Sequence, residues 1–152
     1  MSIDAKQLRA LISDVLKSID LYSKAAVELL MLTSAVEAHC GSYIEQVGGP
    51  ALGIFQMEPA THDDIWNNYL IFHNDLFNKV IILRNGNAKL SQRANLSYQI
   101  AMARVHYLRV NEKLPSYRDI PGMARYWKKY YNTELGRGTT SDAREKYKRY
   151  AV

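Results

Sequence analysis

The chain has 152 residues, of which 47% are hydrophobic and 23% are charged, and its formal net charge is +5. We expect a chain of this length and composition to form one domain, residues 1–152, around a sizeable hydrophobic core. No apolar run approaches the roughly 18–20 residues that span a bilayer, so no membrane insertion is expected. The lone cysteine, Cys40, excludes an internal disulfide framework and favours a reducing site of synthesis.

The positive charge is concentrated in the last third of the chain. Residues 104–152 contain 12 Lys and Arg against 5 Asp and Glu, whereas residues 1–103 contain 8 against 10. This third is also rich in tyrosine, and basic and aromatic side chains together suit an anionic glycan or a nucleic acid. We interpret its basic clusters mainly as solvated faces that attract the protein to an anionic surface.

Two helices are predicted in the first 40 residues. Apolar residues recur at three- and four-residue spacing, which predicts a helix over about Asp4–Leu21. A second, strongly apolar helix is predicted over about Lys24–Ala38, with Gly41 as its stop signal. Three glycines and a proline then predict an irregular stretch, Ser42–Pro59.

The remainder is also predicted to be helical, and there is almost no alternating strand pattern. The predicted elements are a helix capped by Thr61 that runs to Leu83-Arg84 with a break around His73-Asn74-Asp75, a turn at Asn85-Gly86, a long helix capped by Ser91 and ending near Lys113, a short helix over Ile120–Tyr131, a loop over Asn132–Thr140, and a last helix capped by Ser141. The predicted fold class is therefore all-α.

Glu37 lies in the last turn of the apolar second helix, at the edge of its buried stripes. A carboxylate closing such a helix is costly unless it is paired, hydrated or used in a reaction. Partial burial and the negative end of the helix dipole both raise a carboxyl pKa. A raised pKa suits a general acid near neutral pH. The alternative interpretation is a solvated carboxylate at a helix end.

A short segment downstream gives Glu37 a context. Gly53 allows a tight turn beside a ligand, and Gln56 offers both a donor and an acceptor to a sugar amide or hydroxyl. Ile54, Phe55 and Met57 can shield the acid from water. Together with Glu37, this segment predicts a groove that cleaves a polysaccharide.

Further motifs extend the pattern over roughly residues 25–140. They are Thr33–Gly41, in which the Glu is followed four residues later by a Gly, Ala51–Thr61, Ala94–Leu96, Ala103–Leu108, Met123–Trp127, and Tyr126–Thr133 followed by Gly136 and Gly138. This set resembles the lytic transglycosylase and goose-type lysozyme superfamily, and phage-encoded members such as endolysins and virion-associated muramidases in particular. The resemblance implies a lysozyme-like domain, with minimal strand, that cleaves the β-1,4 bond between N-acetylmuramic acid and N-acetylglucosamine in peptidoglycan.

The resemblance also implies roles for single residues. Glu37 would be the general acid and base, and Gln56 and Tyr126 would position the sugar and the acid. Trp127 replaces the asparagine that follows the tyrosine in the family motif, so the tyrosine could instead be Tyr131. Ala38 replaces a serine that usually follows the catalytic Glu.

A second carboxylate decides between two reactions. The lytic reaction forms 1,6-anhydro-N-acetylmuramic acid and needs only Glu37, whereas inverting hydrolysis also needs a base for water. The Asp that goose-type enzymes carry is missing near Val47. Glu58 and Glu45 are the candidates to replace it, and the lytic reaction is the preferred prediction.

Cofactors, partners and location follow from the same interpretation. We expect no metal and no cofactor, because the cysteine and the histidines lack a metal-ligand spacing. The expected partner is the peptidoglycan glycan strand rather than a nucleic acid, and the expected state is a monomer. The first residues lack a signal-peptide pattern. We therefore expect synthesis in a host cytoplasm and action at the bacterial cell wall in the periplasm, after holin release or as part of a virion.

Two alternatives stay open. One is an inverting hydrolase of the goose type. The other is a non-catalytic helical module that binds cell wall or nucleic acid through the basic last third.

Overall fold

The computed structural model describes residues 1–132 and 136–152, and within them the chain forms eight α-helices. These are α1 (Ala5–Ser18), α2 (Lys24–Ala38), α3 (Pro59–Asn68), α4 (Asn74–Leu83), α5 (Ala88–Ala94), α6 (Leu96–Leu108), α7 (Ile120–Trp127) and α8 (Thr140–Tyr150). A 3₁₀ turn (Leu70–Phe72) precedes α4, and a π-helix (Lys128–Asn132) continues α7. The described residues contain no β-strand, only two isolated bridges at Leu52. The all-α prediction is confirmed at this level.

Helix α2 lies at the centre of the molecule. Every residue from Ala26 to Val36 is buried, and α1, α6, α7 and α8 all contact the helix. A helix that is apolar all round is buried on all sides, which agrees with its sequence. The last turn of α2, which carries Glu37, therefore lies at the edge of the hydrophobic core and not on an exposed helix.

One buried charge stabilises the arrangement around α2. The Glu28 carboxylate accepts two hydrogen bonds from Arg9 of α1, at 2.8 and 2.9 Å, and one from the Tyr147 hydroxyl of α8, at 2.7 Å. Arg9 also donates to the carbonyl oxygen of Ala151 at 2.6 Å. Because a buried carboxylate requires such partners, this network links α1, α2 and the end of α8.

Several predicted helix limits are wrong in detail. The third helix begins at Pro59, with Glu58 at its N-cap, and not at a Thr61 cap. The predicted long helix from Ser91 to Lys113 is instead divided into α5 and α6, and α6 ends at Leu108. The division lies at Asn95, because its side chain accepts a hydrogen bond from the Tyr98 N–H and caps α6.

The remaining caps also differ from the sequence prediction. Ser91 lies inside α5, whose cap is Asn87, and the last helix is capped by Thr139 rather than Ser141. Part of the predicted loop at 132–140 lies outside the described residues. Among the described helices, none is long and apolar enough to cross a membrane.

Candidate active site

An open cavity of about 650 Å³ lies at the C-terminal end of α2. Its walls come from the last turn of α2, the irregular stretch before α3, the start of α3, the end of α6, the π-helix and residues 136–138. The lining residues are Glu37, Gln46, Ala51, Gln56, Met57, Glu58, Thr61, His106, Tyr130, Tyr131, Asn132, Gly136, Arg137 and Gly138. The cavity therefore combines polar and aromatic groups with one carboxyl group from the core helix.

Glu37 has the environment of a proton donor. Burial raises the pKa of its carboxyl group from 4.5 to about 7, and the Trp127 N–H and the positive charge of Lys146 act in the opposite direction. With this pKa, a large fraction of the side chain is protonated near neutral pH, yet it can also act as a base. Such a value is typical of carboxyl groups that act as general acids.

Trp127 orients the Glu37 carboxyl group, and the sequence did not assign it a role. Its indole N–H donates to Oε1 of Glu37 at 3.1 Å, across 90 residues of chain. The ring is buried, and Gly138 lies against it so closely that a Cβ there would come within 2.5 Å of Cη2. The indole is thus fixed by packing, and the hydrogen bond it makes holds Glu37 in one direction.

Tyr131, and not Tyr126, lines the cavity that contains Glu37. The π-helix turns Tyr131 into the cavity, where its hydroxyl donates to the carbonyl oxygen of Phe55 at 2.7 Å. Burial and the charge of Glu37 raise the pKa of Tyr131, so the phenol stays neutral. Single-turn π-helices often occur at functional sites because they redirect a side chain.

Tyr126 lies away from the Glu37 cavity. Its hydroxyl donates to the carbonyl oxygen of Glu112 at 2.8 Å, and its ring packs between those of Tyr107 and Tyr130. It faces a different, smaller cavity of about 320 Å³. Tyr126 therefore supports the aromatic layer behind the site but does not face Glu37's cavity.

His106 lines the cavity next to Tyr131. The two rings meet edge to face at 5.0 Å. Burial and the charge of Arg109 lower the pKa of His106 to about 4. The imidazole is therefore neutral near pH 7 and adds no positive charge beside Glu37.

The Gly53–Met57 turn is present, but the reason for its glycine differs from the prediction. Gly53 has φ +80° and packs so closely on α5 and α6 that a Cβ would come within 2.6 Å of Oε1 of Gln99. That same Oε1 accepts the N–H of Ile54 at 2.9 Å. Gly53 is required by this internal contact and not by approach to the cavity.

The other residues of the turn divide into two groups. Gln56 and Met57 line the cavity, and the Gln56 amide is held by a hydrogen bond to the carbonyl oxygen of Gly53 at 2.9 Å. Ile54 and Phe55 are both 2% exposed and belong to the core. They support the wall behind Glu37 rather than face the cavity.

The two candidates for a second carboxylate occupy different places. Glu58 lines the cavity at the N-terminus of α3, and its side chain makes no capping hydrogen bond. Glu45 forms an ion pair with Arg93 at 2.7 Å and does not line the cavity. Among the described residues, Glu37 and Glu58 are thus the two carboxyl groups of the cavity.

The described residues contain no group of three or more His, Cys, Asp or Glu side chains that could hold a metal ion. Cys40 is buried, and burial raises the pKa of its thiol to about 11, so it is not a reactive nucleophile.

Comparison of the chain with protein-family models, with curated proteins and with solved structures gave no match.

Proposed function

We propose that the protein cleaves the β-1,4 bond between N-acetylmuramic acid and N-acetylglucosamine in peptidoglycan, with Glu37 as the general acid. The observation that carries the proposal is the half-buried carboxyl group of Glu37, with a pKa of about 7, at the wall of a 650 Å³ cavity. A cavity with polar and aromatic walls around a protonated carboxyl group suits a sugar chain better than an apolar ligand. The resemblance of the motifs supplies the identity of the polymer.

The reaction begins with the proton on Glu37. It passes to the glycosidic oxygen as the bond to the anomeric carbon breaks and an oxocarbenium-like transition state forms. Trp127 holds the carboxyl group in place through the 3.1 Å hydrogen bond. The same hydrogen bond stabilises the carboxylate that remains after the proton leaves.

We infer that the second step is intramolecular. The muramic-acid 6-hydroxyl attacks the anomeric carbon and gives its proton to the Glu37 carboxylate, which forms the 1,6-anhydro ring and regenerates the acid. One carboxyl group is sufficient, since the attacking hydroxyl belongs to the substrate and has a high effective concentration. The ion pair of Glu45 with Arg93 is consistent with a single catalytic carboxyl group.

Glu58 gives the second candidate reaction, which is inverting hydrolysis. It lines the same cavity and could act as the base for a water molecule, provided the two carboxyl groups lie about 6.5–9.5 Å apart. The products distinguish the two reactions.

The test is mass spectrometry of the muropeptides released from purified peptidoglycan. The lytic reaction gives anhydromuropeptides, each lighter by one water than the hydrolysed form. If reducing-end muramic acid is present from the start of digestion, the reaction is hydrolysis rather than the lytic reaction, and Glu58 is assigned as the base. Intact peptidoglycan after prolonged digestion would overturn the proposed function.

A further inference from the structure

A second cavity, of about 480 Å³, lies at the opposite end of α2 from Glu37. It is lined by one face of α1, the first turns of α2, and two tyrosines from loops, Tyr22 and Tyr117. From Lys24 to Glu37 the helix rises about 20 Å, at 1.5 Å per residue. We call it the α1–α2 cavity. It shares no lining residue with the cavity at Glu37.

Its two tyrosines are outside the hydrophobic core. Tyr22 is 43% exposed, and Tyr117 is only partly buried. The Lys24 ammonium group lies 5.4 Å from the centre of the Tyr117 ring, and Lys17 lies 4.8 Å from that of Tyr22. Exposed aromatic rings beside cations are suited to stacking against a flat, partly apolar ligand that carries negative charge.

The cavity also has an excess of positive charge. Its one carboxylate, Glu28, is neutralised by the two hydrogen bonds from Arg9. Lys6 and Lys24 are exposed, line the cavity, and make no ion pair within the described part of the chain. Two lysines are therefore available to a ligand.

We propose that the α1–α2 cavity binds an anionic saccharide, with Tyr22 and Tyr117 stacked on sugar rings and Lys6 and Lys24 paired with its carboxylate groups. Two cations and a bounded cavity suit a few sugar units. A nucleic acid would require a longer basic surface, and residues 1–103 carry a net negative charge. The inference rests on the proposed function in that the polymer held here is the one cleaved at Glu37.

A second binding site on the same chain strengthens the binding of long polymers more than that of short ones. When one site is occupied, the second binds at a raised effective concentration, which increases the residence time on the polymer. The α1–α2 cavity should therefore promote binding to whole cell walls, while short glycans are cleaved at Glu37 without it.

The test uses the full chain carrying Glu37→Gln, so that ligands stay intact during titration calorimetry. Two cavity variants are compared, Lys6→Glu/Lys24→Glu and Tyr22→Ala/Tyr117→Ala. The control is Lys89→Glu, at an exposed lysine of α5. Negative charge in the first turn of a helix is favourable, so the lysine variant is expected to fold. The probes are a soluble muropeptide, a neutral chitooligosaccharide and a DNA oligonucleotide.

Both cavity variants should lose affinity for the muropeptide by about tenfold or more, and the control should lose none. Unchanged affinity for the muropeptide in both cavity variants would overturn the proposal, and so would tighter binding of the DNA oligonucleotide than of the muropeptide.

A second measurement separates this proposal from the proposed function. With Glu37 intact, the cavity variants should cleave short glycans at the wild-type rate and whole cell walls more slowly. Failure of the wild-type protein to cleave any glycan would sink the proposed function while leaving the calorimetric result unaffected. Equal rates on both substrates for variant and wild type would refute the role of the α1–α2 cavity in polymer binding.

Discussion

At the scale of single residues, the pKa of Glu37 results from two opposing effects. Burial in the last turn of α2 favours the protonated form, while the Trp127 N–H and the Lys146 charge favour the carboxylate. Burial is the larger effect, so the pKa rises to about 7. A group in this position can give up a proton and take it back, as both steps of the proposed reaction require.

Glu37→Gln should retain the fold and abolish cleavage of peptidoglycan. Gln has nearly the same shape and can still accept the Trp127 hydrogen bond, but it has no proton to transfer. The measurement is clearing of purified peptidoglycan, with circular dichroism to verify folding. A folded variant that retains a substantial fraction of the wild-type rate would exclude Glu37 as the acid.

Compared with the wild type, the Glu37→Gln variant should become more stable as the pH rises. In the folded protein the pKa of Glu37 is raised from 4.5 to about 7, so the folded state binds more protons than the unfolded state between these values. Stability of the wild type is therefore lost as the pH rises through this range. We expect Glu37→Gln to exceed the wild type by about 3 kcal/mol at pH 8 and to match it at pH 4. A stability difference that does not change with pH, measured by denaturant unfolding, would contradict the raised pKa.

Trp127→Phe should shift the pH dependence of activity rather than remove activity. Phenylalanine retains much of the packing but loses the N–H that stabilises the Glu37 carboxylate, so the pKa of Glu37 rises further. The alkaline limit of kcat/KM should move upward by about one pH unit. The control is Trp66→Phe, which removes a hydrogen bond to Tyr98 away from the Glu37 cavity. An unchanged alkaline limit in the Trp127 variant would rule out this role for the hydrogen bond.

At the scale of elements, the sequence predicted periodic helices well and their interruptions poorly. The limits of α2 agree with the prediction, Lys24–Ala38, because its apolar residues and the glycine beyond them are local signals. The junction of α5 and α6 was not predicted. Asn95 ends one helix and caps the next because its side chain also donates to the carbonyl oxygen of Leu83, a tertiary contact that local periodicity does not reveal.

The same reasoning explains what was predictable about the candidate site. Glu37, Gln56 and Met57 belong to short motifs, and the structure brings them to one cavity. The hydrogen bond from Trp127 joins residues 90 positions apart, and the placement of Tyr131 depends on a π-helix that aromatic spacing alone does not indicate. The sequence therefore identified Glu37 as the candidate acid but did not reveal the hydrogen bond that orients its carboxyl group.

The network around Glu28 gives a prediction about how elements are held together. Arg9→Met should leave the buried Glu28 carboxylate with only the hydrogen bond from Tyr147, and the free energy of unfolding should fall by about 2–4 kcal/mol. Adding Glu28→Gln should recover part of the loss, because the buried charge is then gone. The control is Lys79→Met, which breaks the exposed pair with Asp20 and should cost less than about 1 kcal/mol. Equal costs for Arg9→Met and Lys79→Met, measured by denaturant unfolding, would show that the network does not stabilise the fold.

At the scale of the whole molecule, the charge is divided between regions with different expected roles. Residues 104–152 carry the positive excess, and α8 exposes several of its cations to solvent. Lys146 is an exception, since its charge lowers the pKa of Glu37. Attraction to an anionic wall is therefore best tested with the exposed cations of α8 that do not act on the acid.

Charge reversal at Arg144, Lys148 and Arg149 should weaken binding to intact anionic cell walls without slowing cleavage of short neutral glycans. All three side chains are exposed and lie outside the lining of both the Glu37 cavity and the α1–α2 cavity. The loss should be greatest at low ionic strength, because the Debye length is about 10 Å at 0.1 M salt but about 3 Å at 1 M. Sedimentation with purified walls across this range measures it. A loss that persists at 1 M salt would mean that these residues make specific contacts, and an equal loss of turnover on short neutral glycans would place α8 in the reaction itself rather than in long-range attraction.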